Sequence, residues 1–140
     1  LINKQVTTQE LHNINNALGI APAWSAAFIE AGGLHALLGT LSKFHARTKL
    51  KSYDIELYLE ILSCIENILN VDVFGVLLHK HLLEILVASL MNDKVSHRIH
   101  QAVIDLMYRI SSLSLSSLGL LSGAFDNVSR QQVTTTFRFD

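Results

Sequence analysis

Apolar residues recur at spacings of three and four along most of this chain, the period by which a helix buries one side. The longest such stretch runs from Asp54 to Leu90. Within it Ile55, Tyr58, Ile61, Leu62, Ile65 and Leu69 mark one committed face of a long helix, with Ser52 or Asp54 as its cap. Asn70, Val71 and Asp72 interrupt the period. Asp72 is placed to cap a short apolar turn through Phe74, Leu77 and Leu78, and Leu83, Leu86, Val87 and Leu90 then carry another helix.

Upstream, Thr7 and Glu10 stand three apart ahead of Leu11, Ile14 and Leu18, a capping-box spacing followed by a stripe that Gly19 closes. Pro22 fits the first turn of the next helix, where its missing N–H costs nothing. The buried side of that helix is expected to hold Trp24, Phe28 and Ile29, and Gly32 and Gly33 are expected to end it. Leu34, Leu37, Leu38 and Leu41 extend a further stripe to Phe44, after which KFHARTKLKS is cationic, aperiodic and reads as an exposed loop. Downstream, Asn92-Asp93 makes a turn and Ser96 caps a helix bearing Ile99, Val103, Leu106, Met107, Ile110 and Leu113. Beyond Ser114, the residues Leu118, Leu121, Ala124, Phe125 and Val128 point to one more helix. The closing VTTTFRFD reads as a frayed end or the opening of a further unit.

Laid over one another, the segments repeat. Leu34, Leu37, Leu38 and Leu41 shifted by 49 fall on Leu83, Leu86, Val87 and Leu90, while Tyr58, Ile61, Leu62 and Ile65 shifted by 45 fall on Val103, Leu106, Met107 and Ile110. The spacing is near the roughly 40–47 residues of armadillo and HEAT units, each of which needs a neighbour to cover its apolar side. The fold class expected is therefore all-α, an armadillo-like right-handed helical solenoid of about two to three repeats. An irregular helical bundle is the alternative. As a domain plan this gives a single domain over residues 1–140, with N-terminal helices at 7–31, repeat units at about 22–70 and 72–113, and a partial unit at 114–140. Stacked units leave a concave wall made of their last helices.

Composition narrows the function classes. At 49 % hydrophobic and 16 % charged, the chain is more apolar and less charged than an average soluble protein, so much of its surface is expected to face protein. A chain that opens on Leu1 rather than Met is expected to be a piece of a longer polypeptide. The net charge of -1 argues against a nucleic-acid partner, which demands a cationic excess. No apolar run approaches the roughly 20 residues that cross a bilayer, and the N-terminus lacks a signal-peptide layout. The expected location is cytoplasmic. The single Cys64, in mid-helix, reads as a small buried hydrophobe and fits a reducing compartment.

Seven histidines raise the question of metal chemistry, with His79 and His81 or His97 and His100 as the best pairs. Neither pair has a third ligand at a recognisable spacing, and no Gly-x-Ser-x-Gly elbow or phosphate-cradling Gly loop is present. The reading is a non-enzyme without metal or cofactor. A histidine-metal hydrolase is the competing class, separated by metal analysis of variants at His97 and His100. Lys43, Arg47, Lys49 and Lys51, with His45 among them, form a solvated loop or a contact for an acidic partner or anionic lipid. On the long helices Ser63, Glu66, Asn67 and Asn70, and later Asp105, Tyr108, Arg109 and Ser112, occupy the sides away from the core stripe. Such mixed polar and amphipathic residues on a rigid wall suit a helical peptide.

The run PAWSAAFIEAGGLHALLGTL, a polar insertion, then CIENILNVDVFGVLL and a helix ending DLMYRISSLS resembles the armadillo-repeat region of diaphanous-related formins, their GTPase-binding and FH3 segment. The likeness covers about Glu10 to Leu121. It implies a regulatory module of an actin-nucleating protein, placed at the cytoskeleton and reaching membrane only indirectly. A Rho-type GTPase carrying GTP is expected to bind near the first helices, at the segment holding Gly19, Ile20 and Ala21. The protein's own C-terminal autoinhibitory helix is expected in a groove at Glu66, Asn67, Asn70, Arg109 and Ser112. A general armadillo or HEAT peptide-binding scaffold unrelated to actin is the other reading. Departures from the pattern lie at Glu66, Arg109 and Ser112, which point to a differently charged tail or none, and at Leu18–Pro22, which lacks the Asn-rich run of diaphanous proteins.

Overall fold

The computed structural model describes residues 7–45, 51–72, 76, 79–92, 95–113 and 115–138, and every regular element among them is a helix. In chain order these are α1 (Thr8–Ile20), α2 (Pro22–Glu30), α3 (Gly33–His45), α4 (Ser52–Val71), α5 (Lys80–Met91), α6 (His97–Ser111) and α7 (Leu115–Arg138). They group into two compact units, Leu1–Val76 with α1 to α4 and Leu77–Asp140 with α5 to α7. The fold class is all-α, an armadillo-like helical fragment. Among the described residues no helix is long and apolar enough to cross a membrane.

In the first unit α4 is the central element, and α1, α2 and α3 all pack on it. Its predicted stripe is buried at Tyr58, Ile61, Leu62, Ile65 and Leu69, and so is a second set at Leu57, Cys64 and Ile68. Two adjoining stripes cover more than half of a helix circumference, which suits an element enclosed by three neighbours. From α3 come Leu34, Leu37, Leu38, Leu41 and Phe44, all buried, with the Phe44 ring 5.7 Å from that of Tyr58. From α1 come Leu11 and Leu18, and the Cys64 thiol donates to the Leu11 carbonyl at 3.7 Å.

The helix starts follow local chemistry. The Thr7 hydroxyl accepts from the Glu10 N–H at 3.1 Å, as the spacing predicts. At α4 the cap shifts by one position. Lys51 is the N-cap, and Asp54 accepts its backbone N–H at 3.0 Å instead of capping with its own backbone. Gly19 does not close α1, which runs on to Ile20 and stops at Ala21, one residue before the proline that cannot donate to it. Nor do both glycines end α2. Gly32 takes φ +93°, a turn only glycine makes without strain, whereas Gly33 opens α3, and a Cβ there would lie 2.3 Å from the Phe28 ring.

Trp24 departs most from expectation. It is 41 % exposed, stacked on Phe28 with ring centroids 5.2 Å apart, while the fully buried residue of α2 is Ser25. The stripe that faces inward is Ser25, Phe28 and Ile29, and Trp24 sits about 100° away from Ser25 around the helix. Trp24→Ala is accordingly expected to cost about 1 kcal/mol, the value of an aromatic pair, rather than the roughly 3–5 kcal/mol of a core truncation. Urea denaturation followed by circular dichroism decides between the two.

In the second unit Leu82, Leu83, Leu86 and Val87 of α5 and Ile99, Val103, Leu106, Met107 and Ile110 of α6 are buried, with α7 packed on both helices. Ser96 caps α6, accepting from the Arg98 N–H at 3.2 Å. Leu90 is half-buried. Leu113 is 42 % exposed because α6 stops at Ser111 and the turn carries Leu113 off the stripe. In α7 Leu121, Ala124 and Val128 face inward, and the helix continues through the β-branched segment to Arg138. The Val95 N–H bonds the Asn92 carbonyl at 3.2 Å. Phe74, Leu77 and Leu78, Arg47 and Lys49, and Asp93 lie outside the described residues.

Candidate protein-binding surfaces

The turn between α1 and α2 places apolar side chains in water. Ile20, the last residue of α1, is 83 % exposed, and Trp24 with its Phe28 stack stands on the other side of Ala21. The turn is fixed from beneath. The Ser25 hydroxyl, fully buried, lies 3.2 Å from the Leu18 carbonyl and 3.0 Å from that of Ala21 and donates to this pair, and the Ala21 N–H reaches the Ala17 carbonyl at 2.9 Å. Of the three residues expected to meet a partner, Gly19 and Ile20 are exposed helix and Ala21 is the half-buried connection. An exposed large aliphatic and a half-exposed tryptophan four residues apart in the sequence are the side-chain chemistry of an interface anchor.

On α4, Glu66 and Asn70 stand one turn apart on the exposed side, with Val71 beside them at 38 % exposure. Asn67 faces elsewhere. Its amide donates to the Asn15 side-chain oxygen on α1, so it belongs to a seam between the two helices. There Asn15 Nδ2 donates to Ser63 Oγ at 2.8 Å and to Glu60 Oε1 at 3.3 Å, and His12 Nδ1 lies 3.3 Å from the same Glu60 oxygen. The sequence offered Ser63 and Asn67 as open wall. In the structure both are committed to α1.

In the second unit Arg109 is half-buried and Ser112, at the end of α6, is exposed. The Ser112 hydroxyl bonds the Arg109 carbonyl at 2.9 Å, tying it to the helix end. A groove of about 450 Å³ opens beside neighbouring positions, lined by Ile104, Met107, Tyr108 and Ser111 of α6, Leu90 of α5, and Leu121, Ser122 and Phe125 of α7. Ile104 is 47 % and Tyr108 75 % exposed at its edge. The groove is apolar with a hydroxyl rim, a form that receives one side of an amphipathic helix. The groove went unread in the sequence; the apolar Ile104 off the core stripe is the signal by which it could have been found.

The reactive side chains lie elsewhere. Cys64 has no exposed surface, and burial, helped by the nearby Glu60 charge, pushes its thiol up to about 12. His35 and His97 are exposed, and His100 Nε2 lies 3.0 Å from the Asn92 carbonyl. Among the described residues no three His, Cys, Asp or Glu side chains come together as metal ligands.

Of the comparisons with known proteins, one returned a match. The model of the family described as the Diaphanous GTPase-binding Domain matches residues 1–111. No curated protein and no solved structure matches the chain.

Proposed function

From a chain that belongs to the diaphanous GTPase-binding domain family, we propose a regulatory binding module that takes a Rho-type GTPase at the α1–α2 turn. The family is a regulatory one rather than a catalytic one. Its match carries the class of partner. On the chain itself the support is Ile20, 83 % exposed at the end of α1, with the part-exposed Trp24–Phe28 stack in the helix that follows, apolar side chains of the kind that anchor interfaces.

The finer reading adds a second ligand and a purpose. The second ligand is the parent protein's own C-terminal autoinhibitory helix, for which the exposed Glu66 and Asn70 of α4 are the candidate contacts in the first unit and Arg109 and Ser112 of α6 those in the second. The apolar side of such a helix has a matching receptor in the groove beside Tyr108. The module then holds an actin-nucleating protein inactive, in the cytoplasm and at the cytoskeleton. Release follows if the GTPase binds the tail-free state better than the tail-bound one, since a ligand shifts an equilibrium only by its differential affinity.

Calorimetry with a Rho-type GTPase carrying a non-hydrolysable GTP analogue tests the first part. Ile20→Asp is expected to weaken binding by about 2 kcal/mol or more, with an unchanged melting temperature because Ile20 buries almost nothing. Equal affinity for the Asp variant would remove the α1–α2 turn as the docking site, and equal affinity for the GDP form would remove GTP-dependent release.

A further inference from the structure

Asn15 stands where the pattern calls for an apolar residue. It lies four positions after Leu11 and three before Leu18, both buried, on the stripe that α1 turns to α4. Instead of packing it makes hydrogen bonds across the seam in both directions. Its side-chain oxygen accepts from Asn67, and its amide donates to Ser63 at 2.8 Å and to Glu60 at 3.3 Å, three residues spread over two turns of α4. His12, one turn earlier on α1, meets the same Glu60 carboxylate.

Leucines and isoleucines alone grip a facing helix without choosing its rotation, because apolar contact is non-directional. A polar side chain at such a seam is the device that selects one register over its neighbours, at some cost in stability relative to an apolar pair. What the register controls here is the far end of α1. Ile20 lies five residues beyond Asn15, and slipping α1 by one position turns every side chain on it by about 100°. The exposed face at the α1–α2 turn then changes, because the Ser25 hydroxyl ties α2 to the carbonyls of Leu18 and Ala21 and makes it follow.

We propose that Asn15 is a positioning residue that locks the rotation of α1 on α4, through Asn67, Ser63 and Glu60, so that Ile20 and Trp24 are presented together to a GTPase. This rests on the GTPase reading above. Glu66 and Asn70 occupy the same end of α4 as Asn67, so the lock holds the turn and the exposed polar side of α4 in one frame.

The test compares Asn15→Leu and the double variant Asn15→Leu with Asn67→Leu against the parent chain. Three quantities are read: urea stability, affinity for a Rho-type GTPase loaded with a non-hydrolysable GTP analogue, and acrylamide quenching of Trp24, the single tryptophan of the chain. The expected result is a split. The double variant matches or exceeds the parent in stability yet binds about tenfold more weakly, and Trp24 quenching changes in both variants without any GTPase present. Parent-like affinity in a folded double variant overturns the proposal, as does an affinity loss that merely tracks lost stability. If the parent chain binds no GTPase, the functional reading fails and the quenching comparison still decides: altered Trp24 access supports the lock, and unaltered access ends it.

Discussion

Tyr58→Ala is expected to cost the first unit about 3–5 kcal/mol, a third or more of the stability of an ordinary domain. Tyr58 is 2 % exposed in the second turn of α4 and its ring stands 5.7 Å from that of Phe44, so truncation empties the space where α3 meets α4. The helix that loses its filling is the one on which the other three rest. The collapse should therefore reach α1 and α2 as well as α3. Urea unfolding monitored by circular dichroism would show the midpoint falling by roughly 2 M for a typical small-protein slope. A midpoint within a few tenths of the parent's would mean that α3 and α4 are held by something other than this aromatic contact.

A second large effect concerns alkaline pH. The Cys64 thiol rises from 9.0 to about 12 on folding, first through loss of hydration and then through the Glu60 charge. For an acid whose pKa is raised in the native state, the folded protein holds its proton where the unfolded chain has released it. Stability is thus complete below about pH 9 and falls as pH climbs toward about 12. The loss across that window is on the order of a few kcal/mol at most. Cys64→Ala has no proton to lose and should show a shallower decline over that window, even if the methyl-sized cavity lowers its stability at neutral pH. Parallel pH profiles for the two proteins would contradict this, as would rapid labelling of native Cys64 by a thiol reagent.

The parts of the fold that could be read from sequence are those in which a helix buries a single stripe. Leu34 to Phe44 on α3 and Ile99 to Ile110 on α6 are of this kind, and each was placed residue by residue. The second buried set of α4, Leu57, Cys64 and Ile68, was not legible because a one-face template has no place for a helix enclosed on several sides. Trp24 misled for the opposite reason. A large aromatic in a short Ala-rich helix looks like core, but α2 turns the small Ser25 inward, and its hydroxyl is needed to fix the turn.

The candidate site divides in the same way. A likeness in residue order is what nominates Ile20, and the coordinates add that it projects into solvent. Asn67 carried the right kind of chemistry but the wrong direction, because a polar residue beside a core stripe can face either solvent or another polar residue forty or more positions away. Nothing local in the sequence pairs it with Asn15. The groove beside Tyr108 needed three helices to exist, so it had no local pattern to betray it beyond the off-stripe Ile104.

The central place of α4 also bears on the order of synthesis. Chains leave the ribosome at roughly 5–20 residues per second and domains tend to fold from the N-terminus. Here α1, α2 and α3 emerge before the helix on which all of them rest. Leu11, Leu18 and Leu34 therefore have no α4 to cover them until the chain through Leu69 has followed, and the unit is expected to close in one late step rather than by adding helices in turn.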